Sequence, residues 1–87
     1  MKQTKIAFPT TTTSKRNVIE DTPWTVDCWA IDANRVQLQF TRDGRSIGEC
    51  YTIQTTTVQE YVWAIFVAFV KKTEAEEHFA QLVRQAR

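Results

Sequence analysis

The chain is 87 residues long, with 43% hydrophobic and 11% aromatic residues, enough for one folded core and too short for two. A formal net charge of +1 excludes the strong positive field of a dedicated nucleic-acid binder. Two cysteines, Cys28 and Cys50, without a metal-type spacing exclude a zinc motif, and the longest apolar run, Tyr61 to Val70, is about half of a membrane span.

Residues 1–22 are expected to form a flexible, basic N-terminal arm ahead of an α+β domain at 23–87. Residues 1–17 carry Lys2, Lys5, Lys15 and Arg16 with no acid, giving +4, whereas residues 18–87 sum to −3. The Thr10–Thr13 run is low-complexity and Pro9 and Pro23 bracket the segment. Lys2 and Lys5 are followed by no apolar leader core, so no secretory signal is expected and the chain is placed in the cytoplasm with reduced thiols.

Residues 24–54 alternate with the period of strands. Trp24, Val26, Cys28 and Ala30 share one parity, and Val36, Leu38 and Phe40 share another against Gln37, Gln39 and Thr41. A three-residue loop, Asp32-Ala33-Asn34, pairs Ala30 with Val36, Cys28 with Leu38 and Val26 with Phe40. Asp43-Gly44 signals a type I′ hairpin, because both central positions need positive φ. A two-residue turn there sets Phe40 against Ile47 and Val36 against Tyr51, and also sets Glu49 against Leu38 on the core face, which is a misfit.

The last thirty residues have helical signals. Thr57-Val58-Gln59-Glu60 and Thr73-Glu74-Ala75-Glu76 both match the capping box, which predicts helices over about 58–71 and 74–86. No Gly or Pro separates them, so one continuous or kinked helix is the alternative. The second segment is amphipathic, with Ala75, Phe79, Leu82, Val83 and Ala86 on one stripe; the first is apolar all round. The expected fold is thus a three-stranded antiparallel meander followed by two helices, β-β-β-α-α.

No catalytic, metal or cofactor set stands out. His78 has only Glu74 one turn before it, and Gly44 and Gly48 are too isolated for a phosphate loop. Neither Ser nor Cys sits beside the single His in sequence, so an enzyme is not expected. Cys28 and Cys50 fall on opposite parities, which argues against pairing within the chain.

The outward sheet face carries Trp29 and Ile31 among Thr and Gln. Trp29, Ile31, Gln37, Gln39, Arg42, Arg45 and Trp63 are therefore candidate partner-binding residues. The surplus apolar surface of Tyr61–Val70 adds a candidate homodimer contact. Together these suggest a small protein-interaction module, an inhibitor or regulatory subunit that occludes a partner, of a size common among accessory proteins of phages and mobile elements. The alternative is a nucleic-acid-binding domain, in which Lys15, Arg16, Arg42 and Arg45 would share one surface with the sheet. In topology alone, strands followed by a helix resemble the sheet-type DNA-binding domains of some integrases and plant transcription factors, without their sequence motifs.

Overall fold

A computed structural model describes residues 2–10 and 13–86. The chain is α+β: an antiparallel sheet of five strand segments, one face of which is covered by a single C-terminal helix. The strands are β1 (Ser14–Val18), β2 (Trp24–Ala30), β3 (Arg35–Arg42), β4 (Arg45–Ser46) and β5 (Tyr51–Gln54), and the helix is α1 (Gln59–Gln85). The spatial order is β1-β2-β3, with β4 and β5 both along the far edge of β3.

The β2–β3 register has Ala30 opposite Val36, Cys28 opposite Leu38 and Val26 opposite Phe40, as the three-residue loop requires. The Asp43-Gly44 turn is also present: Arg42 faces Arg45, and Asp43 and Gly44 have φ of 54° and 79°. The chain keeps this register through Ile47, whose N–H donates to the Phe40 carbonyl at 2.9 Å. It then departs from expectation. Val36 faces Ile53 rather than Tyr51, and Leu38 faces Tyr51 rather than Glu49. Residues 47–50 loop out of the ladder, and this splits the third strand into β4 and β5.

Glu49 is the physical reason. In the straight register its carboxylate would sit in the core against Leu38, whereas an insertion of two residues keeps the strand parity and leaves Glu49 exposed. Gly48 makes the bend, with φ of 70°. Its missing Cβ also leaves room for Phe69, whose ring would lie 3.1 Å from that atom.

Two further expectations are corrected. The N-terminal segment, over its described residues 2–10 and 13–22, is part of the folded unit: β1 pairs along β2, and Ile6 and Ile19 are fully buried in the core. Two carboxamides hold it. Gln59 accepts from the Ile6 N–H and donates to the Ile6 carbonyl, both at 2.8 Å. Asn17 does the same for Ala7, at 2.9 and 3.2 Å. Each side chain stands in for a neighbouring strand, which composition alone does not reveal.

The two expected helices are one helix of 27 residues. Neither capping box forms a cap. Val58 is the N-cap and has no side-chain cap hydrogen bond, and Thr73 lies within the helix. Residues 71–77 are mostly Lys, Glu and Ala, strong helix formers, so nothing stops propagation through Thr73.

Val62, Phe66, Phe69 and Val70 bury one side of α1 against Trp24, Val26, Leu38 and Phe40. Phe69 makes three aromatic contacts, with its ring centroid 4.6 Å from Phe40, 6.0 Å from Trp24 and 5.9 Å from Tyr51. Beyond Thr73 every described residue of α1 is exposed. At about 1.5 Å per residue the helix is roughly 40 Å long, so it overhangs the sheet, and the molecule measures 51 × 24 × 22 Å.

Candidate interaction surfaces

Three surfaces remain open. The first runs along α1. Tyr61, Ile65, Ala68, Lys72, Ala75, Phe79, Leu82 and Ala86 are separated by alternating steps of four and three residues, the spacing of a coiled-coil seam. This row is the buried row of α1 shifted back by one position, about 100° around the helix. Of the row only Ile65 packs in part against the core; the rest is exposed. Tyr61 and Phe79 are each 68% exposed, and Leu82 and Val83 are 49% and 42% exposed.

The second surface adjoins the first. Where the seam passes β5, Tyr51, Ile53, Ile65, Ala68 and Phe69 line an open apolar groove of about 410 Å³, with Lys72 at one end. β5 is an edge strand here, so the groove has a sheet edge for one wall and a helix for the other.

The third surface is the sheet face that no helix covers. Cross-strand rows on it are Ser14-Trp29-Gln37-Thr52, Arg16-Asp27-Gln39 and Val18-Thr25-Thr41-Ser46. Trp29 is half-buried in the row next to the β2–β3 turn. Arg16 is bound to Asp27 at 2.9 Å, and Arg35, at the end of the face, is bound to Asp32 at 2.8 Å. The Thr25 and Thr41 hydroxyls hydrogen-bond to each other.

The residues singled out from sequence are distributed over these surfaces unevenly. Trp29 and Gln37 are cross-strand neighbours on the open face, and Ile31 is exposed just beyond the end of β2. Gln39 is on that face too, but its carboxamide is engaged within the chain: it donates to the Phe40 and Ile47 carbonyls at 3.1 and 3.3 Å and lies 3.1 Å from the Cys50 thiol. It holds the 47–50 loop in place. Trp63 is half-buried, with its ring 5.2 Å from Phe66, and contributes to the chain's own core.

Arg42 belongs to the opposite side. Its guanidinium lies 5.3 Å from the Trp24 ring and forms a two-pronged ion pair with Glu77, at 2.8 and 2.5 Å. That hydrogen bond holds the Glu77 carboxyl below its ordinary value. Arg45 faces Arg42 across the turn and shares its side, while Lys15 faces Cys28 and so has the parity of the covered face. Lys15, Arg16, Arg42 and Arg45 therefore do not share one surface; of the four, only Arg16 lies on the open sheet face.

The α1 seam as a whole was not recognised from sequence, although its 4-3 spacing is legible once the two helical segments are joined into one. Cys28 is buried, and burial pushes its thiol up to about 11, away from nucleophilic chemistry; Cys50 is exposed, and both thiols are free. Among the described residues no group of three or more His, Cys, Asp and Glu is placed to hold a metal, and no helix is long and apolar enough to cross a membrane. No family model, curated protein or solved structure matches the chain, so a functional reading rests on these surfaces alone.

Proposed function

We propose that this chain is a non-enzymatic protein-interaction module, acting as a small inhibitor or regulatory subunit does, by covering a protein surface, and that its contact element is the free seam of α1. The observation that carries this reading is the overhanging half of the helix. Residues 74–86 are all exposed, with Glu77 held to Arg42 of β3, and they present Phe79, Leu82 and Val83 to solvent. A helical segment of about this length is marginal in water without packing, and an exposed apolar stripe flanked by charge is the usual form of a helix that packs on a partner.

Capture with the tagged full chain and with Phe79→Glu tests it. Loss of bound protein, whether a second copy or another chain, is the expected result, and an unchanged set of bound proteins rejects the seam as the contact element.

A second reading, nucleic-acid binding, is favoured by one feature: Trp29 on an open sheet face, in the row next to the β2–β3 turn, where a base could stack. The ion pairs of Arg16 with Asp27 and Arg35 with Asp32 neutralise the charge that phosphate contacts would need. Titration of single-stranded DNA at low salt against the native chain and Trp29→Ala separates the two readings. Equal and negligible binding by both proteins removes this one.

A further inference from the structure

The seam of α1 is complementary to itself when reversed. We infer that its occupant is a second copy of this chain, packed antiparallel along α1 about a two-fold axis level with the step from Thr73 to Glu74; this rests on the reading of the seam as a contact element.

Three observations point to that arrangement. The first is steric. Turning the helix about this axis sets Ile65 against Leu82 of the second copy, Ala68 against Phe79, Lys72 against Ala75 and Tyr61 against Ala86. Large side chains meet alanines at three of the four layers, and Phe79 arrives at Ala68. That is where the groove walled by Tyr51, Ile53 and Ile65 lies open. An aromatic ring with Leu82 behind it is of the size and chemistry that a 410 Å³ apolar groove takes. The overhanging half of each helix thus covers the exposed side of the packed half of the other, and the contact is isologous and closed.

The second observation is electrostatic. Lys71 and Lys72 precede the axis and Glu74 and Glu76 follow it. Reversal brings Lys71 level with Glu76 of the second copy, and Lys72 between its Glu74 and Glu76. Among the described residues Lys71, Lys72 and Glu76 make no ion pair. A parallel, in-register pair would instead stack Lys72 on Lys72 in the seam and leave Ala68 facing Ala68. Flanking charges and a charged seam position are what set orientation in helix pairs.

The third is positional. Val62, Phe66 and Phe69 attach the sheet about 100° away from the seam, so a second helix lies beside β5 and does not compete with the sheet for the same side of α1.

Sedimentation equilibrium of the full chain tests the proposal, with a dimer of twice 10.1 kDa expected. Phe79→Glu alters a side chain that is 68% exposed in the single chain, so it is expected to leave far-ultraviolet circular dichroism intact while raising the dimer dissociation constant by ~100-fold or more. The double change Lys71→Glu/Lys72→Glu provides a second, purely surface variant: it should weaken the dimer, and adding Glu74→Lys/Glu76→Lys should restore it. Orientation is read in a Cys50→Ser background. Mixing Tyr61→Cys chains with Ala86→Cys chains should give the mixed disulfide, and Tyr61→Cys alone should give none. A monomeric native chain overturns the proposal even if Phe79→Glu loses another captured protein, a result that would leave the seam standing as a contact element. A dimer unaffected by Phe79→Glu, or a Tyr61→Cys self-crosslink, overturns it as well.

Discussion

The two halves of α1 share one helix and one seam, but they are stabilised by different means. From Gln59 to Thr73 the helix is fixed by burial: Val62, Phe66, Phe69 and Val70 close the core over the sheet. From Glu74 to Gln85 it is fixed by continuity with that first half and, among the described residues, by one ion pair, Arg42 with Glu77. Helical order in this protein therefore does not report where the core is. A continuous hydrogen-bonded ladder carries secondary structure past the last tertiary contact, and the apolar residues placed there are free to serve another surface.

The comparison is broken most severely at Phe69. Phe69→Ala should cost about 3–5 kcal/mol in urea denaturation, because the ring is buried against Phe40, Trp24 and Tyr51. Phe79→Ala, the same change ten residues on, should alter the unfolding free energy of the single chain by less than about 0.5 kcal/mol. Equal losses at both positions, measured at concentrations where the chain is monomeric, would mean that the overhanging half is packed within the chain.

The docked N-terminal segment gives the next effect. Gln59→Ala removes both partners of Ile6 from a partly buried site, with an expected loss of about 1–3 kcal/mol. Amide exchange should locate that loss at Ile6 and Ala7 and spare β2 and β3. Gly48→Ala should follow, at about 1–2 kcal/mol. A Cβ there meets the Phe69 ring at 3.1 Å on a backbone with φ of 70°. Thermal unfolding of both variants orders them.

These sites mark where the sequence could be read and where it could not. The β2–β3 register and the Asp43-Gly44 turn were legible because period-two parity and positive-φ residues are local signals. Glu49 was legible as a misfit, but its resolution as an outward loop needed Gly48 and Phe69 to be seen together, twenty-one residues apart. The capping boxes misled for the reverse reason. They are local patterns, and a Lys-Glu-Ala stretch of high propensity runs through the second one unbroken. Ile6 and Ile19 could not be assigned to the core from sequence, since Gln59 and Asn17 hold the segment by side-chain hydrogen bonds that have no periodicity. At the candidate site, the exposed stripe of Phe79, Leu82 and Val83 was visible as amphipathicity, but its continuity back to Tyr61 depended on there being one helix.

The smallest effect sharpens the comparison by titration. Glu77 is the acid end of the ion pair that ties the overhanging half to the sheet, and the hydrogen bond from Arg42 lowers its carboxyl below the ordinary value while desolvation opposes. A carboxylate whose folded value is depressed contributes stability that is fully present above its unfolded value, about 4.3, and that is lost as pH falls through the folded value. Between pH 7 and about 5, then, protection of amides 78–85 should be flat once intrinsic exchange is corrected for. Below about pH 4 it should fall, while protection across 62–70 follows only the global stability. Glu77→Gln removes the titrating group, so its 78–85 amides should be less protected at pH 7 and should show no local step on acidification. Salt should mimic the variant, because the pair is solvent-exposed and screened. A step that persists in Glu77→Gln would assign the tether to another carboxylate, of which Glu74, also near Arg42, is the next to substitute.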